Sequence, residues 1–486
     1  MKHSVLLSLV NRLSPKEQKA FRLFLASPYH NTNARLIPLW DALLNLDLST
    51  DRQELDLDYL HKALFNTSQP FHKQKVYDHC SFLLRKMEDF LALQAFESDE
   101  QMRRMYLMKK MVEKNHESGF HRASKKLHRL REKAGRRDME VHHMQYEEHR
   151  LEDLLFLRQA RRDFDQSLDG VMLELDAYYL AAKLRYACSM LNRQNIIQAD
   201  YALPFLPEVL HMVESRKDLA ALPAIALYRC IYLSLTQPDH PAYFPQLLEL
   251  LEVHGKAFPR EERIALYGYA QNYCTKKINQ GQSAYLRDYF NLDKQMLAKD
   301  LLLSHGLLDH RKYKNMVTVG LRLKEYAWVE AFLEQYARHL PEAFQEIAYL
   351  YCRSAYLHAV GDFSGAKGLL WRVDSEDIYY QLGVRALLLK IYFQEGDEEG
   401  LESQARAFKG FLSRNKKISP YQLKSHRGLI KYTLQLSRLR GQQPALSLQT
   451  FQFSLQRIAE DLAANPRISN LNWLKEQVKM LGEGKG

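Results

Sequence analysis

The chain has 486 residues, 69 Lys+Arg against 58 Asp+Glu, a formal charge of +11, 46% apolar residues and 11% aromatic ones. Glycine (20) and proline (15) are scarce for that length, which excludes a turn-dense β-sandwich, a collagenous chain and a disordered one, and leaves helix as the expectation. Five cysteines, Cys80, Cys188, Cys230, Cys274 and Cys352, are odd in number, widely spaced and without a C-x-x-C pair, so neither a disulfide framework nor a zinc knuckle fits. They read as small apolar side chains buried on helices in a reducing compartment.

The apolar run Val5 to Val10 is too short for a signal segment, and the longest apolar stretch, Ala220 to Leu235, is interrupted by Pro223 and Arg229. A cytoplasmic protein without a membrane span is expected. The first strong helix start is Ser14-Pro15-x-Glu17: a capping serine, a proline at the first helical position and a glutamate closing a capping box. Ala20, Phe21, Phe24 and Leu25 follow at helical spacing, and further helices are predicted near 34–47, 56–65 and 71–95, so that residues 1–95 form a compact helical module. No proline occurs between Pro70 and Pro204. Long helices are therefore predicted near 98–116, 120–134, 138–166 and 171–192, with breaks at Gly119, Gly135 and Gly170. Residues 96–200 read as long-helix hairpins. From 200 onward prolines return between apolar-periodic segments, among them Pro204, Pro207, Pro259, Pro341 and Pro420. No period-two alternation runs beyond four or five residues, and the class is all-α.

Residues 201–486 also repeat. Gly361-Asp362-Phe363-x-x-Ala366 closes one helix and opens the next, Gly396-Asp397-Glu398-x-x-Leu401 does so 35 residues later, and Lys324-Glu325-Tyr326-x-x-Val329 stands 37 residues earlier. Tyr392 lies four residues before Gly396, Leu357 takes that place before Gly361, and Ser118-Gly119-Phe120-x-x-Ala123 has the same aromatic-x-x-Ala step. These residues resemble the tetratricopeptide repeat, whose helix pair turns at a G-D-[YF]-x-x-A step. Glycine tolerates the C-cap conformation, the aromatic fills the corner, and the small residue lets two helices approach. The resemblance, carried mainly by residues 310–440, implies an N-terminal helical module followed by an α-solenoid of stacked antiparallel helix pairs with a concave binding face; it implies no ligand.

Chemistry-bearing motifs are few. Glu113-x-x-His116 and Glu140-x-x-His143 have the spacing with which helix bundles hold two irons, but chance supplies about 2.3 acid-x-x-His pairs in this composition against four present, Asp58/His61 and Glu208/His211 being the others. Both pairs sit in charge-dense, solvated stretches, so no metal and no cofactor is expected. No phosphate loop, nucleophile elbow, zinc helix or dinucleotide fingerprint is present, and nothing points to an enzyme.

Three features point to binding. A helix at 56–65, a turn at 66–70 and a helix opening with His72, Lys73 and Lys75 have the outline of a helix-turn-helix, although residues 1–100 carry 12 basic and 13 acidic residues where duplex binding wants excess positive charge. In 120–137, Phe120, Ala123, Leu127, Leu130 and Ala134 form an apolar stripe with Arg122, Lys125, Lys126, Arg129, Lys133, Arg136 and Arg137 on the other side. Most pronounced, the 57 residues 403–459 contain no acid at all and 11 cations: Arg406, Lys409, Arg414, Lys416, Lys417, Lys424, Arg427, Lys431, Arg438, Arg440 and Arg457. The other 429 residues balance at 58 against 58, so this tract holds the whole net charge. One-sign charge costs self-repulsion and is retained most plausibly for an anionic partner. The expectation is a non-catalytic helical-repeat scaffold for a protein partner, using a solenoid groove and this basic surface; the alternative is a nucleic-acid-binding protein using 120–137 and 403–459.

Overall fold

The computed structural model describes residues 5–45, 57–65, 70–159, 167–197 and 201–484. They form two compact units, Met1–Ala182 and Lys183–Gly486, and are helical almost throughout, as composition predicts. None of their helices is long and apolar enough to cross a membrane.

The first unit opens with α1 (Val5–Val10), α2 (Pro15–Ala26), α3 (Leu36–Leu44), α4 (Leu57–Phe65) and α5 (Lys73–Ser98). The predicted capping box forms: the Glu17 amide donates to Ser14 Oγ at 3.3 Å and the Ser14 amide to Glu17 Oε2 at 2.8 Å. Phe21, Leu39, Trp40, Leu83 and Met87 are fully buried between these helices, with Phe21 edge-on to Trp40 at 4.8 Å. Then come α6 (Glu100–Glu113), α7 (Glu117–Ala134), α8 (Met139–Arg158) and α9 (Ser167–Ile197), whose residues from Lys183 on belong to the second unit, with Met108, Phe120 and Leu127 at the centre of a second core. The stretch 160–166 of the predicted 138–166 helix lies outside the described residues.

Two predicted breaks are corrected. Gly119 does not end a helix: the chain turns at Asn115 (φ 53°) and α7 has begun by Gly119, where a Cβ would meet His116 Nδ1 at 2.6 Å. Gly170 likewise lies inside α9, under the His149 ring, which a Cβ would meet at 2.8 Å. Both glycines serve close approach and not a turn. Gly135 (φ 62°) does close α7 in the left-handed conformation, as predicted.

The second unit runs α10 (Leu206–Ser215), α11 (Lys217–Ala220), α12 (Pro223–Thr236), α13 (Tyr243–His254), α14 (Arg260–Asn279), α15 (Tyr285–Ala298), a two-residue hairpin of β1 (Leu303–Ser304) and β2 (Leu307–Leu308), α16 (His310–Arg322), α17 (Tyr326–Tyr336), α18 (Glu342–Val360), α19 (Phe363–Leu370), α20 (Ile378–Glu395), α21 (Glu398–Arg414), α22 (Pro420–Gln442), α23 (Leu448–Ala464) and α24 (Leu471–Gly482). From α12 onward each even-numbered helix packs on the odd-numbered one that follows. The even helices also stack on one another, α16 on α18, α18 on α20, α20 on α22 and α22 on α24. This is a helical-repeat array of consecutive pairs, with the even helices from α16 to α24 making one continuous layer.

Its corners share one geometry. At Gly361 (φ 92°) and Gly396 (φ 75°) the chain enters the left-handed region, and the next amide reaches back five residues, Asp362 N to Leu357 O at 2.9 Å and Asp397 N to Tyr392 O at 3.2 Å. Lys324 (φ 60°) does the same, with Glu325 N on Gly320 O at 2.9 Å. Asp362 and Asp397 then cap the next helix, accepting from Gly365 N and Gly400 N at 2.8 Å. The corner residues Val329, Ala366 and Leu401 are buried to 1% exposure or less. Pro207 and Pro420 fill first-turn positions, and Pro259 and Pro341 cap α14 and α18.

All five cysteines are free and buried. Burial pushes the Cys80 thiol up to about 11 and those of Cys230, Cys274 and Cys352 up to about 12. Neutral thiols at such depth behave as apolar filling, as the sequence suggests.

Candidate electropositive binding face

The acid-free tract becomes the second half of α21, all of α22 and most of α23. Arg406, Lys409 and Arg414 are exposed along α21, and Arg414 sits in its last turn, where a cation complements the helix dipole. Lys416 and Lys417 are exposed in the connection, which is shaped by Asn415 Oδ1 accepting from the Lys417 amide at 2.9 Å. Ser419 and Gln422 then form a capping box that fixes the start of α22.

On α22, Lys424, Arg427, Lys431 and Arg438 are separated by 3, 4 and 7 residues, which places them on one stripe of a helix with 3.6 residues per turn. All four are exposed, while Leu429, Ile430, Thr433 and Leu436 on the opposite side are fully buried. Helices α20, α21, α23 and α24 cover the rest of α22, so the stripe is the face left to solvent. Among the described residues none of these four, nor Arg414, Lys416 or Lys417, has a carboxylate oxygen within 4.0 Å. Tyr421 at the head of α22 and Phe453 on α23 are 60% and 70% exposed.

Arg440 departs from the prediction. It turns inward, donating to the Phe393 carbonyl oxygen at 2.9 Å with its guanidinium 4.6 Å from the Phe393 ring. The basic face of α7 is also thinner than its sequence: Lys126 pairs with Glu100 at 3.0 Å, and Arg136 with the fully buried Asp138 at 2.7 Å. Arg122, Lys125, Arg129 and Arg137 stay exposed.

The other sequence candidates fall as follows. Of the helix-turn-helix outline, the helices exist as α4 and α5, and the turn residues 66–69 lie outside the described residues. Lys75 lies 6.0 Å from the Phe65 ring and Lys73 5.7 Å from that of Tyr77. Glu113 pairs with Lys110 at 2.6 Å, His116 caps α7 by accepting from Gly119 N at 2.9 Å, and the His143 ring lies 4.8 Å from that of Tyr178. Among the described residues no cluster of three or more His, Cys, Asp or Glu is placed to hold a metal ion.

The structure adds something the tract did not reveal. Positive charge extends back along part of the even-numbered layer: α16, residues 347–360 of α18, residues 378–394 of α20, and α22 contain no Asp or Glu. The carboxylates of α16 to α22 stand at helix caps, such as Asp309, Asp377 and Asp397, at the ends of α18 and α20, as Glu342, Glu346 and Glu395 do, or on the odd helices, such as Glu330, Glu334 and Glu402. Lys314, Tyr351, His358 and Lys390 on this layer are half-buried. Enclosure has its electrostatic signature: burial holds Lys314 below the ordinary lysine value and brings Lys390 down to about 8. Burial likewise pushes His358 down to about 4, the Lys390 ammonium adding to it, and His426 to about 4 with Lys314 adding to it. No motif marks these residues. Counting acids helix by helix, instead of along one tract, would have exposed the layer. No family model, no curated protein and no solved structure matches the chain.

Proposed function

We propose that the protein is a non-catalytic, tetratricopeptide-like scaffold that holds an acidic segment of a partner protein against its electropositive layer. One observation carries the reading: the solvent face of α22 carries four cations, Lys424, Arg427, Lys431 and Arg438, with no carboxylate partner among the described residues. Such a face costs self-repulsion that a complementary anionic chain offsets. Nucleic acid is the second reading, favoured by the exposed Tyr421 ring three residues before Lys424 and the exposed Phe453 ring on α23, since rings that accompany cations can stack bases.

One experiment separates the two. Fluorescence anisotropy with a labelled Glu/Asp-rich peptide and with a labelled single-stranded RNA is run on the wild type and on the K424E/R427E/K431E/R438E variant, at low and at physiological salt. The scaffold reading expects peptide binding that survives physiological salt and disappears in the variant, with circular dichroism unchanged. Preferential RNA binding with a steep salt dependence transfers the function to nucleic acid. Binding of neither probe removes the α22 face from the reading.

A further inference from the structure

Lys314 lies in the second turn of α16 with its ammonium among aromatic rings, Nζ being 4.5 Å from the Tyr351 centroid and 5.0 Å from that of Tyr380. It donates to the Tyr379 carbonyl oxygen at 3.2 Å. An ammonium has three N–H donors, and ring faces attract its charge without accepting all of them. Among the described residues no carboxylate oxygen comes within 4.0 Å of Nζ. An enclosed cation without a carboxylate is an expensive arrangement, because cations that leave water are nearly always paired.

The surroundings add positive character. The Arg311 guanidinium lies 5.2 Å from the Tyr379 ring. Its nearest carboxylate is Asp377 at 3.9 Å, whose Oδ1 already accepts from the Tyr379 amide at 2.7 Å. His426, whose pKa is lowered by burial and further by the Lys314 charge, keeps a buried Nδ1 with no hydrogen-bond partner among the described residues. Lys314 and the largely exposed Arg311 thus both lie against Tyr379, with one carboxylate, Asp377, beside the guanidinium.

We propose that Lys314 and Arg311, with the Tyr351 and Tyr379 rings beside them, bind one phosphate group, borne as inorganic phosphate or as a phosphate monoester. A dianion matches two cations better than a carboxylate does, and its tetrahedral oxygens accept from ammonium and guanidinium in different directions. The tyrosine rings give an ester substituent an apolar wall. The site does not depend on the α22 face: the four exposed cations there are separate residues, so failure of one leaves the other standing.

The test is a titration of the full chain, at ionic strength held constant with chloride, using inorganic phosphate and N-acetyl-O-phosphoserine amide. Binding is read by calorimetry and by the Nζ resonance of ¹⁵N-labelled Lys314. The site expects saturable binding of at least one probe with movement of that resonance, a loss of at least about tenfold in affinity in Lys314→Met, which keeps the stem between the rings, and wild-type affinity in the K424E/R427E/K431E/R438E variant. Tighter binding of the phosphoserine amide assigns the site to a phosphorylated chain, and tighter binding of phosphate to the free ion. Absence of saturable binding at millimolar concentration, or equal affinity in Lys314→Met, overturns the proposal. Should that variant not fold, an unmoved Lys314 resonance in the wild type overturns it equally.

Discussion

Arg440 spends its charge on the inside of the molecule: its guanidinium lies over the ring of Phe393 and donates to the same residue's carbonyl oxygen, joining the end of α22 to the end of α20. That carbonyl is in the last turn of α20, where the helix dipole favours a cation. Arg440→Ala should therefore destabilise by about 1–2 kcal/mol in urea unfolding, through the lost charged hydrogen bond and ring contact. Partner binding through the α22 stripe should be unaffected. An Arg440→Ala variant as stable as the wild type would show that α20 and α22 are held by their apolar contacts alone.

Lys324 holds the left-handed position that glycine fills at the two following corners. A side chain there costs roughly 1 kcal/mol relative to glycine. Lys324→Gly is expected to raise stability by up to about that amount and Gly361→Lys to lower it similarly, measured as opposite shifts of the urea midpoint. Equal midpoints would mean that the corners do not share their strain.

Ala366 is fully buried where α18, α19 and α20 meet. Ala366→Arg should cost more than the roughly 1–3 kcal/mol of ordinary overpacking, since a charge is buried too. Loss of the cooperative unfolding transition is the extreme form of that outcome, and a neutral substitution would contradict the packing of the pair.

The four cations of the α22 stripe make no ion pairs among the described residues, so replacing Lys424, Arg427, Lys431 and Arg438 together by Gln should leave stability unchanged or higher at low salt, each change staying within about 0.5 kcal/mol. A large loss of stability would mean that the stripe is structural.

Acid should weaken the second unit through His358 and His426. Both imidazoles are held at about 4 in the folded chain, against about 6.5 once exposed. Between those values the unfolded chain binds protons that the folded chain does not, so the contribution is complete above about pH 6.5 and is lost as pH falls through about 4. In a His358→Gln/His426→Gln variant the slope of unfolding free energy against pH in that window should flatten. An unchanged slope would place both rings in contact with solvent.

What the sequence disclosed and what it withheld divide along a physical line. Ser14, Asp362 and Asp397 were legible because caps and corners depend on neighbours a few residues away. The corner at 115–116 was misplaced onto Gly119 because its left-handed residue is Asn115. The corners at Gly281, Asp300 and Lys324 have the same five-residue amide bond, Gln282 to Lys277, Leu301 to Met296 and Glu325 to Gly320, yet only Gly281 is a glycine among them. The basic stripe of α22 could be anticipated from local spacing. Arg440 could not be placed, since its partner Phe393 is 47 residues away. Lys314 and Lys390 stayed invisible for the same reason: their enclosure is made by residues tens of positions distant.

The acid-free layer also bears on mechanics. Helices stacked at spacings of roughly 8–10 Å, close to the Debye length of about 8 Å at physiological ionic strength, feel one another's like charges only partly screened. Repulsion along α16, α18, α20 and α22 then works against the apolar contacts that draw these helices together, and ionic strength sets the tension between the two. Raising the ionic strength should therefore strengthen the packing of these helices on one another, because screening removes the repulsion and leaves the apolar contacts.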